Sequence, residues 1–392
     1  MSSVLGLLVL ALISYLGSIY IFSKHKLPPL LRYLFFSGWE FMLLGIAIGP
    51  MALDLFPEEM LKDMEVVIYL GLGWVGLLVG IQMRFRDFAK LDVRHLKITV
   101  LQALLTGLVT GLAAYAMLPL AKGWNGDVTY CAVLVTAAAF AISSPTVLAL
   151  VRMEMKFRER MIRLLQVITN LDAVVSALAV GIAFTFLRHD ILHFKVALAF
   201  LAQALATGVL LGFLFHALPR EELSEKEQLT VMAGFVFFSS GVGAALNVSP
   251  LFINLVCGIF LANRLKGDDR IYKAIFHTER PFYVIMLVLA GMIYVPSLFA
   301  VGVAIALALV RLAGKYYFVY RLIKRYDPGF DFPSNGGLAL TSQGAMALII
   351  GFAFLTVDHG SASRLVFSVI VTSMMMNEIA APLLVSRTLK EG

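Results

Sequence analysis

Residues 164–186 read "LLQVITNLDAVVSALAVGIAFTF", almost entirely apolar and long enough to cross a lipid bilayer, with Asp172 near the middle. A carboxylate at that depth costs at least about 2.5 kcal/mol on the most lenient insertion scale, so it marks function by default. Thr169 and Asn170 add polarity within a turn of it. A proton or a monovalent cation would each neutralise such a group, and each excludes the other. A site that holds either one but not both is an exchanger by linkage. The plainer alternative is an aspartate that caps a broken helix or pairs with a fixed base.

Two other apolar stretches are interrupted. "VTAAAFAISSPTVLALV" carries Ser143, Ser144, Pro145 and Thr146, and "GLALTSQGAMALIIGFAF" carries Thr341, Ser342, Gln343 and Gly344. Proline removes a backbone donor and clashes with the preceding turn. In lipid the freed carbonyls need partners or a water-filled cavity. A simple kink satisfied by the serines would account for the first stretch alone. The two breaks together, in corresponding helices of two halves, point to a transport site. A nearby carboxylate would balance the positive helix ends, and serine oxygens and carbonyls would ligate a cation. Arg311 and Lys315 lie one turn apart on one face of another span. Buried bases need counter-charges, and Asp172 and Glu378 are the available partners. Arg311 reads as a structural salt-bridge anchor. Lys315 reads as a snorkelling base or as a neutraliser of negative helix ends. Glu40, in "FFSGWEFMLL", would line the ion path, meet a partner across a subunit interface, or serve a structural role in a cavity wall. Glu378, in "MMMNEIAAPLL", reads as a hydrogen-bonded packing residue nearer the cytoplasmic end.

The elements that must hold these groups are membrane helices. Hydrophobic residues make up 60% of the 392-residue chain and charged residues 15%, against roughly 45–50% and about 25% in a soluble domain. Spans are expected at 3–22, 31–51, 64–83, 95–118, 128–150, 161–187, 194–218, 228–246, 249–263, 281–297, 299–322, 336–356 and 364–386. The fold class is therefore an all-α polytopic membrane protein of about thirteen helices. Helices 1–6 and 8–13 would form two inverted six-helix repeats, with the breaks in the fifth and twelfth spans crossing. The net charge of +7 does not signal nucleic acid. Apart from Arg311 and Lys315, every Lys and Arg except Lys62, Lys122, Arg188, Lys195 and Arg364 falls in one set of alternate loops or at the C-terminus. The positive-inside rule then puts the N-terminus outside and the C-terminus in the cytoplasm. The first span lacks a basic n-region and a clear cleavage site, so it reads as a retained helix and not a signal peptide.

Other patterns are weaker. "GLGWVG", residues 71–76, fits the dinucleotide pattern but lies in an apolar span with no strand before it. The pairs Gly76 and Gly80, Gly107 and Gly111, and Gly208 and Gly212 read as close-packing positions. Cys131 and Cys257 read as packing residues, and His189 and His193 lack a third ligand. No nucleophile motif, phosphate loop or cofactor site is expected, and the chain reads as a transporter and not an enzyme.

Four segments resemble the cation/proton antiporter superfamily, the sodium/hydrogen exchanger fold: "LGWVGLLVGIQMRFRDF", "AAAFAISSPTVLALV", "LLQVITNLDAVVSAL" and "GLALTSQGAMALII". The resemblance implies a homodimer in the cell inner membrane. It implies scaffold helices over 1–86 and 226–297, core helices over 94–187 and 298–392, and a linker helix over 190–220. It places shared proton and cation binding on Asp172; beside it, Ser143, Ser144, Thr146, Thr169 and Asn170 read as candidate ligands or their supporting shell, and Ser342 and Gln343 as shaping the opposite break. It implies that the core moves as an elevator against the scaffold. The chain departs from the family where Leu171 precedes the aspartate, where Ser144 precedes the proline, at Gln82, and at Ala345 and Met346. Fewer carboxylates imply electroneutral exchange of Na+ or K+ for a proton. Two alternatives stay open, a non-transporting membrane sensor or assembly subunit and a transporter of another small solute.

Overall fold

The computed structural model describes residues 3–23, 38–88, 92–120, 124, 126–145, 147–148, 159–189, 194–217, 224–264 and 269–390. Among them all regular structure is helical, and thirteen helices have ten residues or more. They are α1 (Ser3–Ser23), α2 (Trp39–Ile48), α3 (Glu65–Ile81), α4 (Val93–Met117), α5 (Gly126–Ala141), α6 (Glu159–His189), α7 (Phe194–Ala217), α8 (Glu225–Ala245), α9 (Pro250–Arg264), α10 (Asp269–Ile293), α11 (Leu298–Tyr326), α12 (Gly344–Leu355) and α13 (Ser361–Lys390). Each expected span falls on one of these helices. Six of them are long and apolar enough to cross a membrane by length and composition alone: Val93–Leu120, Arg160–Phe184, Leu198–Ala217, Glu227–Ala245, Leu298–Tyr326 and Ser361–Thr388.

The start of the tenth helix differs from expectation, while the junction of the eighth and ninth lies within one residue of it. The tenth helix starts at Asp269, not near residue 281, and Pro281 lies inside it. The Pro281 carbonyl accepts the Ser14 hydroxyl at 2.7 Å. The short ninth helix follows directly on α8 because Asn247 takes a left-handed φ of 57°, a conformation asparagine tolerates better than most residues. Pro250 then opens α9, where a missing N–H is harmless.

The chain divides into two compact units. The first comprises Met1–Ser23, Glu40–Lys90 and Phe184–Ile293, and so holds α1–α3 and α7–α10. The second comprises Lys24–Trp39, Leu91–Ala183 and Tyr294–Gly392, and so holds α4, α5, most of α6, and α11–α13. Lipid tails are as apolar as leucine, so helices in a membrane associate through close packing and polar contacts. In the first unit α3 and α9 meet backbone to backbone. A Cβ on Gly76 would lie 2.3 Å from the Leu251 carbonyl oxygen, and one on Gly80 would lie 2.3 Å from that of Leu255. From the other side, a Cβ on Gly258 would lie 2.7 Å from the Leu77 carbonyl oxygen. The dinucleotide-like glycines therefore serve helix packing.

In the second unit an apolar cluster includes Ile98 of α4, Leu165 and Ile168 of α6, Val319 and Ile323 of α11, Leu340, and Ala381 and Val385 of α13. One end of this unit is tied by charge. Asp92 caps α4, accepting the Arg94 N–H at 2.9 Å. The Arg94 guanidinium holds the Asp92 carboxyl down at about 2. Asp327, the residue closing α11, faces Arg94 at 3.2 Å, Arg160 at 3.3 Å and His95 at 3.4 Å.

Gly76→Ala is expected to force the α3 and α9 backbones apart and to cost about 1–3 kcal/mol. Gly241→Ala, which meets nothing within 4 Å, is expected to be neutral or slightly stabilising. Thermal unfolding of the two variants in detergent checks the contrast.

Candidate functional site

Both interrupted spans break where the sequence places serine, threonine or glutamine. Helix α5 stops at Ala141, and residues 142–145 are not helical. On the other side a 3-10 turn, Gly336–Leu340, runs into a break at 341–343 before α12 starts at Gly344. The two breaks touch, since the Ser144 N–H donates to the Ser342 carbonyl at 2.8 Å. Gly344 makes this approach possible. Its φ is +66°, and a Cβ there would sit 2.4 Å from the Ser144 hydroxyl oxygen. Thr146, the fourth polar residue of the first break, lies outside the described residues.

A broken helix leaves carbonyls at one end and N–H groups at the other without intrahelical partners. Arg311 takes the carbonyl ends of both breaks. Its guanidinium donates to Phe140 at 3.0 Å, Ile142 at 2.6 Å, Leu340 at 2.9 Å, Thr341 at 2.7 Å and Ser342 at 3.4 Å. The expected salt-bridge anchor thus binds carbonyl groups, and no ion pair to Arg311 forms among the described residues. Five converging carbonyl dipoles supply the negative potential that a carboxylate would otherwise provide. Glu378 serves the opposite polarity. Its Oε1 accepts the Ser342 hydroxyl at 2.7 Å, the Gln343 N–H at 3.0 Å and the Gly344 N–H at 2.8 Å. The carboxylate that balances a positive helix end is therefore Glu378, at the crossing itself, and not Asp172.

Asp172 pairs with Lys315 instead. Oδ2 lies 2.8 Å from the ammonium nitrogen, and neither side chain has any solvent exposure. Gln102 of α4 bridges both partners. Its Nε2 donates to Asp172 Oδ1 and its Oε1 accepts from Lys315 at 2.9 Å. Lys315 also donates to the Ala141 carbonyl at 2.7 Å, at the end of α5. It neutralises a helix terminus, as one sequence reading has it, and it does not snorkel. The buried set of Arg311, Lys315, Asp172 and Glu378 is balanced when all four are ionised.

Gln343 is fully buried and donates to Ala139 at 3.2 Å, while its Oε1 accepts from Ser373 at 3.0 Å and Asn377 at 2.9 Å. Ser143 is 1% exposed and lies near the Asp172 carboxylate. Its hydroxyl has no hydrogen bond of good geometry among the described residues. Thr169 is buried and bonds back to Gln166 on its own helix at 3.0 Å. Asn170 faces outward, exposed, on the opposite side of α6. Glu40 is half-buried in the first turn of α2, within the first unit.

Sequence reasoning missed Gln102, Ser373 and Asn377. A signal for the first was present: Thr99, Gln102, Thr106 and Thr110 recur at helical spacing on an otherwise apolar α4, and all four are fully buried. A polar stripe facing the interior of a membrane helix bundle marks a polar neighbour.

Comparison with known proteins follows the same lines. A sequence-family model described as "Sodium/hydrogen exchanger, transmembrane" matches residues 8–391. No curated protein sequence matches the chain. Among solved structures, the sodium proton antiporter MjNhaP1 from Methanocaldococcus jannaschii at pH 8 superimposes with a TM-score of 0.66 at 16% identity, covering 99% of this chain and 100% of that one. An electron-microscopy structure of MjNhaP1 gives 0.66 at 15% identity, covering 100% and 99%. At such identities the likeness is one of fold. The match to the family model spans nearly the whole chain, through both breaks and the buried acid, and this multi-pass membrane protein belongs to the sodium/hydrogen exchanger family of secondary transporters.

Proposed function

We propose that the protein exchanges a monovalent cation, Na+ or K+, for a proton across the cell inner membrane, with Asp172 as the shared site, where the protonated Lys315 and the cation compete for the carboxylate. The observation that carries this reading is the Asp172–Lys315 pair, fully buried at the crossing of two broken helices. A buried ion pair is weak as a stabilising device, because desolvation offsets much of the attraction. Its position among interrupted helix ends suits a site whose counter-ion changes. In the resting state the ammonium neutralises Asp172. A cation that enters takes over that neutralisation, and Lys315 then gives up its proton. One positive charge replaces another, so the loaded and unloaded sites carry the same net charge, and the exchange is electroneutral. The inward proton gradient drives the cation outward.

The remaining features follow the family. The unit holding α4, α5, most of α6 and α11–α13 is the moving core, and the unit holding α1–α3 and α8–α10 is the scaffold, in an elevator cycle. Helices 1–6 and 8–13 are inverted repeats about α7. The N-terminus is outside, the C-terminus is cytoplasmic, and the protein is a homodimer. Asp172, Ser143 and the carbonyl groups of the break are the groups nearest to a bound cation. Ser144, Thr146, Ser342 and Gln343 shape the breaks, and Thr169 packs behind the acid. Arg311 and Glu378 hold the crossing together.

In proteoliposomes with an imposed pH gradient, Na+, K+ or Li+ added in turn should dissipate the gradient for at least one cation, at a rate insensitive to membrane potential. Asp172→Asn should abolish the response. Absence of flux for all three cations would return the chain to the sensor or other-solute readings. Because proton and cation compete, the apparent KM for the cation should fall as pH rises, by up to about tenfold per unit while the site is protonated. The same pair sets a stability signature. Asp172→Asn strands a buried ammonium and should cost about 3–5 kcal/mol, whereas Asp172→Asn combined with Lys315→Met should recover part of the loss. Thermal unfolding in detergent reads this double-mutant cycle.

A further inference from the structure

The ammonium nitrogen of Lys315 is surrounded by three oxygens: Asp172 Oδ2 at 2.8 Å, Gln102 Oε1 at 2.9 Å and the Ala141 carbonyl at 2.7 Å. All three come from buried parts of the second unit. An ammonium group has donors only, so what surrounds it is a set of oxygen acceptors with one compensating negative charge. A bare alkali cation requires the same set. The lysine differs in being tethered to α11.

We propose that Gln102 is a ligand, through its side-chain oxygen, of the cation that takes over from the Lys315 ammonium. This rests on the exchange reading above and adds to it a residue. The orientation of the amide is fixed by chemistry. A carboxylate only accepts and an ammonium only donates, so Nε2 must face Asp172 and Oε1 must face Lys315. A flipped amide would set acceptor against acceptor and donor against donor. When Lys315 withdraws, the bond from Nε2 to Asp172 Oδ1 keeps Oε1 aimed at the vacated place. The ligand is therefore preorganised before the cation arrives.

A second observation lies around the same groups. Thr106 follows Gln102 by one turn on α4, Ser176 follows Asp172 by one turn on α6, and Ser143 lies near the carboxylate. All three hydroxyls are buried with no hydrogen bond of good geometry among the described residues. Each such group costs about 1–3 kcal/mol if left unmet. Ser143, beside the carboxylate, provides an oxygen for an ion that must shed its hydration shell on the way in, and Thr106 and Ser176 stand one turn along from Gln102 and Asp172.

The test separates ligation from a merely structural role by splitting KM from maximal rate. Wild type, Asp172→Asn, Gln102→Leu and Gln102→Met are compared in proteoliposomes with Na+ and K+ over a range of pH. Gln102→Leu keeps the side-chain bulk and removes the oxygen. It should raise the apparent cation KM at least tenfold while leaving the rate at saturating cation within about twofold, since one charge-assisted contact of 1.4 kcal/mol corresponds to a factor of about ten. Gln102→Met, unbranched and close in length, also removes the oxygen and should raise the KM in the same way. A Gln102→Leu protein that loses maximal rate with an unchanged KM overturns the proposal. So does a Gln102→Met protein with the same pattern, which serves alone if the leucine variant does not fold. A silent Asp172→Asn beside an active wild type keeps the exchange reading standing whatever happens at Gln102. A wild type inactive with every cation sinks both.

Discussion

Two helices interrupted inside a bilayer present backbone groups that the surrounding medium cannot satisfy. Everything at the centre of this protein answers that constraint. The carbonyl ends converge on Arg311, and one of them also on Lys315, while the N–H groups of Gln343 and Gly344 converge on Glu378. The cations and the anion are thus placed by helix polarity before any transported ion is considered. Asp172 is the one charge of the four whose hydrogen bonds, among the described residues, all go to side chains, those of Lys315 and Gln102.

This division separates what holds the site from what operates it. Removing Arg311 or Glu378 would leave several backbone groups unsatisfied at once, so both are committed to the architecture. Asp172 and Lys315 satisfy each other, with Gln102 reaching across to both. A pair that shares its acceptors with a bridging amide can exchange one positive occupant for another while the remaining hydrogen bonds stay in place.

Much of the fold was legible because a membrane imposes a simple code. Runs of about twenty apolar residues, breaks marked by Pro145 or by "TSQG", and basic loops are each visible one segment at a time. Element ends were less so, since Pro281 sits within a helix and not at its start, and a proline cannot announce which of the two it will do. At the site, the identity of the buried acid was clear from its cost. Its partner was not, because Lys315 and Arg311 share one helix face and only three-dimensional contacts tell which meets a carboxylate and which meets carbonyls. Asn170 was named from proximity in sequence, yet a helix turns about 100° per residue, and two positions before Asp172 is nearly the opposite side. Gln102 lies 70 residues from its partner, and only the polar stripe along α4 hinted at it.

The seam between α3 and α9 has a mechanical consequence. Helices that slide past one another do so by letting interdigitated side chains hop between rotamers, the soft adjustment behind shear motions. Where Gly76, Gly80 and Gly258 bring main chain onto main chain, there are no side-chain torsions to spend. That contact is stiff along its length, like two keyed blocks. Displacement within the first unit must be taken up at its turns and outer helices, and this pair behaves as a single rod.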